Sequence, residues 1–217
     1  MKLIDHSESE YVITDFILEE LDKRQYCVFD FEATGPDPVK DSITQIGAVI
    51  LGQDGSIVTR YKTLVRPPKP IPEAIEKLTG ISNHDVEKAP SFSEIIAGFL
   101  AFIKGCVLVT QAGYEYDLPL LTEECRRSHT PLDDLAVLDT KALFTYLHPE
   151  VSAIVSTNFL IQHYVIPDAD IQRHDALGDS ILIARIFNKI IEECSDRGIR
   201  DIRFDSLKVK KVQLPPL

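Results

Sequence analysis

The sequence predicts an α/β fold, a mixed sheet with helices on both faces. Three observations predict it. Strand-like runs rich in β-branched and aromatic residues come first, at 25–32, 44–51 and 57–65. Asp54-Gly55 between the last two is a hairpin turn signal. From residue 91 onward, helical and strand patterns alternate.

Each element has its own local reason. At 11–21, Val12, Phe16 and Leu21 fall near helical spacing, which predicts a short amphipathic helix. The three strands follow, and Pro67, Pro68, Pro70 and Pro72 then break the sheet pattern. A short helix running to Leu78 stops at Gly80. Ser91 with Glu94 three residues on is a capping-box pattern, and it opens an apolar helix over 93–103. Gly105 ends that helix and 106–110 reads as a buried strand. A helix at 118–128, a strand at 135–138 and helices at 140–147 and 157–164 come next, before a last long helix over 176–194. The organisation is one domain, 25–194, with a helical extension at 1–24 and a basic tail at 195–217.

Composition bounds the function. The chain has 217 residues, enough to bury a core without disulfides. The longest apolar run, 95–103, is half the length of a membrane span, and residues 1–24 hold no apolar stretch of the secretory kind. Cys27, Cys106, Cys125 and Cys194 are far apart, without zinc-like spacing, so reduced thiols and a cytoplasmic location are expected. With 23 basic against 34 acidic residues the net charge is −11, which argues against a broad nucleic-acid-coating surface. It permits an enzyme that engages a few phosphates, particularly if some acids hold cations. Residues 1–24 carry three basic and seven acidic groups, and residues 195–217 six and three. The two ends either meet each other or a partner, or are two solvated faces.

Four acids and a histidine carry the candidate chemistry. Asp30 and Glu32 end the first strand, and period-two geometry puts both on one face with Phe29 and Phe31 on the other. Side by side in a covered strand they would repel and lose hydration unless a cation sits between them. A strand end emerging into solvent is the bland alternative. Asp179 heads an apolar stripe continued by Ile183, Ile186 and Ile190, a place where a carboxylate has no structural use beyond the helix dipole. Asp117, before Leu118-Pro119, also reads as an ordinary N-cap, and His174 alone as a surface histidine.

Together, Asp30-x-Glu32, Asp117 and His174-x4-Asp179 resemble the DEDDh subgroup of the DnaQ-like 3′–5′ exonucleases, over about residues 25–190. Val28-Phe29-Asp30-Phe31-Glu32-Ala33-Thr34-Gly35 is similar to the family's D-x-E-T-T-G, and His174-Asp175-Ala176-Leu177-Gly178-Asp179 fits H-x-A-x-x-D. Leu78-Thr79-Gly80-Ile81 resembles its x-x-G-I element, with Ala89-Pro90-Ser91-Phe92 at a suitable distance. Asp175 stands where the tyrosine subgroup would need Tyr. One segment departs from the pattern: Ala112-Gly113-Tyr114-Glu115-Tyr116-Asp117 keeps the acid and an aromatic of H-N-x-x-F-D but lacks the His-Asn pair.

The resemblance implies an RNase H-like five-stranded sheet of order 3-2-1-4-5. It implies that Asp30, Glu32, Asp117 and Asp179 hold two Mg²⁺ or Mn²⁺ ions, with His174 as general base. Ala33, Thr34 and Gly35 would offer backbone groups to the terminal nucleotide, and Leu78 and Tyr116 would pack on its base. The expected substrate is a free 3′ end, single-stranded or frayed DNA first and RNA or short oligoribonucleotides second. A non-catalytic module keeping the fold is the rival from another class. A protein partner engaging the terminal extensions, with 212–217 as a docking peptide, is a further expectation; no membrane is expected.

Overall fold

The computed structural model describes residues 2–5 and 7–211, so the candidate docking peptide at 212–217 lies outside the described residues. The main sheet is built from β3 (Tyr26–Ala33), β4 (Ile43–Leu51), β5 (Ile57–Leu64), β6 (Val107–Thr110) and β7 (Val137–Asp139). Their spatial order is β5-β4-β3-β6-β7, which in chain order within the sheet is 3-2-1-4-5 as expected. The first three strands pair antiparallel, while β6 and β7 join in parallel after helical crossovers. Covering helices are α1 (Glu73–Thr79), α2 (Asn83–Val86), α3 (Phe92–Phe102), α4 (Asp117–Arg127), α5 (Thr140–Leu147), α6 (Thr157–Tyr164) and α7 (Ala176–Asp196). The turn α2, opened by a Ser82–Asp85 capping box, was not anticipated from the sequence.

The central strand β3 sorts its side chains by parity. Phe29 and Phe31 point to one face and pack edge-on against Phe99 of α3. Tyr26 points to the other and meets Phe187 of α7. Asp30 and Glu32 share the Tyr26 parity, so they lie on the α7 side.

The ends of the chain correct the sequence reading. Residues 11–21 are not a helix: Glu10–Leu18 is a strand, β2. Its buried residues are Tyr11, Ile13, Phe16 and Leu18, spaced two, three and two. The break falls at Asp15, whose φ of 53° is left-handed and shifts the alternation by one residue. That phase slip imitates helical spacing. The C-terminal segment is likewise more than a tail, because Ile202–Lys210 is a strand, β8.

With β1 (Lys2–Asp5) these form a second, antiparallel sheet of order β1-β2-β8, so the two ends meet each other. Phe16 stacks on Phe204 at 5.0 Å, and the opposite charges pair as Arg203–Glu19 and Lys208–Glu10. Tyr11 meets Tyr114 and Phe204 meets Tyr146, which merges the second sheet with the main core on the side of α5. Among the described residues, no helix is long and apolar enough to cross a membrane.

Candidate active site

A cleft of about 540 Å³ opens at one end of β3, lined by Asp30, Glu32, Asp117 and His174 among others. Three local devices bring its acids together. The first is a close approach. Asp30 pairs across the sheet with Gly47 of β4, and a Cβ there would lie 2.1 Å from the Ala176 backbone. Only glycine lets the first turn of α7 settle on the sheet. Two bonds fasten it: Ala176 N–H donates to Gln45 Oε1 at 2.7 Å, and the Ser180 hydroxyl to the Gly47 carbonyl at 2.9 Å. Asp179, on the same turn, is thereby lowered toward Asp30 and Glu32.

The second device sets Asp117. It is the first residue of α4 rather than its N-cap, which is Tyr116. Its carboxylate accepts a 2.6 Å bond from the Thr110 hydroxyl at the end of β6. Gly113 permits this, since a Cβ would lie 2.2 Å from the Thr110 side chain. Below the loop, buried Asp139 accepts from the N–H groups of Ala112 and Tyr114 at 3.1 and 3.3 Å. Fully buried Lys141 pairs with Glu115. The segment that departs from the family pattern is therefore held by its own buried polar network.

The third device is the entry to α7. Asp175 is the N-cap and accepts from Gly178 N–H at 3.0 Å. His174, exposed and with φ of 59°, sits on the loop just before it, as its offset from Asp179 requires. Its backbone N–H donates to Asp179 Oδ2 at 2.7 Å, while Arg173 Nε donates to Oδ1 at 2.8 Å.

The electrostatics follow from crowding. Burial, then Asp117, Glu32 and Asp179, push the Asp30 carboxyl well above its ordinary value. Burial, then Asp179 and Asp117, push Glu32 up to about 8. Burial pushes Asp117 up to about 7 against the Thr110 hydrogen bond. Such a site lacks positive charge for what it holds. Glu32, His174 and Asp179 offer donor atoms all within 4.8 Å of one another, and among the described residues this is the one such group. Asp30 and Asp117 stand outside that group but act on it through charge. Oxygen donors with raised proton affinity suit a hard divalent cation, so the residues fit the metal expected from the sequence.

Of the expected nucleotide-contacting residues, Ala33, Gly35, Leu78 and Tyr116 line the cleft. Leu78 is 49% exposed, an apolar side chain left open on α1. The Tyr116 hydroxyl donates to the Gly35 carbonyl, fixing its ring at the cleft wall. Thr34 departs from expectation. Its N–H donates to the Ser42 carbonyl at 2.9 Å and its hydroxyl to Asp41 at 2.9 Å, so both serve the loop. Sequence reasoning missed Arg173, Thr110, Gly47 and the Lys141–Glu115 pair. Arg173, adjacent to His174, was the one with a visible signal: a cation beside an acidic cluster.

The comparisons with known proteins agree with this geometry. A family model described as Exonuclease (RNase_T) matches residues 27–187. A DNA polymerase III PolC-type protein of Caldanaerobacter subterraneus subsp. tengcongensis is 31% identical over 178 residues, 82% of this chain and 12% of the relative. The 3′-5′ exonuclease DinG of Bacillus subtilis is 31% identical over 189 residues, 87% of this chain and 19% of the relative. The chain thus spans under a fifth of the length of these two relatives. The nuclease domain of 3′hExo, a DEDDh family member bound to rAMP, superimposes with a TM-score of 0.69 at 21% identity, covering 78% of this chain and 92% of that one. That likeness shows a shared fold. The family match runs from β3 into α7 and so contains every acid gathered in the cleft; the chain belongs to this exonuclease family.

Proposed function

We propose that the protein removes nucleotides one at a time from the 3′ end of single-stranded or frayed DNA, releasing nucleoside 5′-monophosphates. The observation that carries this reading is that Asp30, Glu32, Asp117 and His174 line one cleft while the Asp179 carboxylate lies within 4.8 Å of donor atoms of Glu32 and His174. The four carboxylates would hold two Mg²⁺ or Mn²⁺ ions. Bound there, the ions would neutralise the acids, lower the pKa of an attacking water and offset charge on the phosphodiester. The protein's own groups do the rest. His174, on its loop and outside the helix, takes the proton from the attacking water. Leu78 and Tyr116 pack on the terminal base, which is sequence-tolerant because every base has an apolar face. The loop at Gly35, held by Tyr116, borders the terminal sugar.

RNA or short oligoribonucleotides are the second reading. It is favoured by the net charge of −11, which suits short substrates, and by the ribonucleotide bound to the 3′hExo nuclease domain. The test is degradation of matched 5′-labelled DNA and RNA strands with Mg²⁺ or Mn²⁺. A ladder of shortened labelled products, stopped by EDTA, is expected, with DNA the faster. Release of label as the first product, or cleavage of circles, overturns the assignment.

A further inference from the structure

Three tethers hold the chain just before α7. The Gln172 carbonyl folds back on Gly178, where a Cβ would lie 2.4 Å from its oxygen. His174 N–H donates to Asp179 Oδ2 at 2.7 Å. Arg173 Nε donates to Oδ1 at 2.8 Å, and its Nη1 donates to Asn158 Oδ1 on α6 at 3.1 Å. His174 keeps a φ of 59°, a left-handed conformation that a residue with a Cβ holds where its surroundings fix it.

The tethers converge on a carboxylate that the metal reading needs. Among the described residues, Arg173–Asp179 is the one ion pair made by Asp30, Glu32, Asp117 or Asp179. Lys62 and Lys141 pair instead with Asp175 and Glu115. Burial raises the proton affinity of Asp30 and Glu32 most, the neighbouring acids add to it, and Arg173 opposes it. A divalent cation approaching buried Asp179 meets a guanidinium already on Oδ1. Either the guanidinium leaves that oxygen or two cations share one carboxylate, and both outcomes oppose metal binding. Asn158 offers the guanidinium a second acceptor that does not depend on Asp179.

We propose that Arg173 is a positioning residue that stands in for the metal at Asp179: it holds that acid and the His174 loop together, and it competes with the divalent cation for the carboxylate. This rests on the metal-dependent exonuclease reading above. The cleft is then stable before metal arrives, and binds the ion more weakly than the same acids would without the guanidinium.

The test is calorimetric titration of the full chain with Mn²⁺ at pH 7, without nucleic acid, alongside melting temperatures in EDTA. Arg173→Gln and Arg173→Ala are expected to tighten Mn²⁺ binding about tenfold, because one opposing charge is gone. Their melting temperatures in EDTA should fall by about 2–4 °C, since Asp179 loses its partner. Arg173→Lys keeps the charge and should bind Mn²⁺ within about threefold of wild type. Asn158→Ala loosens the same corner without removing a charge and should do likewise. A merely structural arginine predicts the opposite sign, weaker Mn²⁺ binding together with the lower melting temperature. Equal or weaker Mn²⁺ affinity in Arg173→Gln overturns the proposal, as does equal tightening in Asn158→Ala. If neither wild type nor Arg173→Gln binds Mn²⁺, the metal site and the proposal fall together. If the affinities follow expectation yet the wild type hydrolyses no strand, the exonuclease reading fails while the role of Arg173 stands. If the wild type hydrolyses strands and Arg173→Gln binds Mn²⁺ no more tightly, the role of Arg173 alone fails.

Discussion

On β3, neighbouring residues live in opposite environments. Phe29 and Phe31 are buried and pack on Phe99, a cluster that stabilises the fold. Asp30 and Glu32, one position away, have their proton affinities pushed up by burial and then by the other carboxylates, which costs stability whenever they are charged. One face anchors the strand so that the other can hold repelling groups in place. Period-two geometry alone lets a single strand do both. The lesson is that stability and chemistry here are separable by parity, and substitutions should separate them.

The largest contrast should come from neighbours. Asp30→Asn is expected to cut turnover roughly 10³-fold or more while raising the melting temperature of the metal-free protein. Phe29→Ala should do the reverse, losing about 3–5 kcal/mol of stability with turnover of the remaining folded protein within tenfold. Chemical denaturation and a labelled-strand assay measure both. An Asp30→Asn protein that unfolds, or keeps full activity, breaks the comparison.

His174→Ala should lower kcat by roughly 10²–10⁴-fold, because the attacking water loses its proton acceptor. The Mn²⁺-induced rise in melting temperature should persist, since the four acids remain. Loss of that rise would make the imidazole a ligand instead of a base.

The pH dependence sharpens the same point. Burial and neighbouring carboxylates push Glu32 up to about 8, and burial pushes Asp117 up to about 7, both above their unfolded range near 4. Between those limits the native state holds protons that the unfolded chain has released. Stability of the metal-free protein therefore falls as pH rises from about 4 to 8, and melting temperature should fall by several degrees. Below pH 4 both states are protonated and the penalty vanishes. Asp30→Asn should flatten the slope and Phe29→Ala should leave it unchanged; equal slopes in all three would contradict the crowding.

Thr110→Val removes the hydroxyl that orients Asp117. About tenfold weaker Mn²⁺ binding by calorimetry is expected, with little change in fold. Unaltered affinity would show that Asp117 is held by α4 alone.

Much of this was legible in the sequence. The strand parity of β3 followed from alternation, and the stripe below Asp179 from helical period. The offset of His174 from Asp179 put the histidine on the loop before α7. The N-terminal strand was not legible, because the left-handed residue Asp15 breaks its alternation and leaves a spacing that reads as helical. Thr34 looked like a ligand-facing residue, but its groups close onto Ser42 and Asp41, partners that nothing local announces.

By itself the sequence determined, from local periodicity and short spacings written along the chain, the order of elements from β3 to α7 apart from the turn α2. The sheet order and the grouping of the four acids with the histidine came through a family resemblance. Only the tertiary structure decided that Gly47 admits α7 to the sheet, that Thr110 and Asp139 shape the divergent segment, that Arg173 clasps Asp179, and that the two ends pair to bring Lys211 to the cleft. Those contacts join residues far apart in sequence. They exist only once hydrophobic burial has closed the core and left each buried polar group to find a partner.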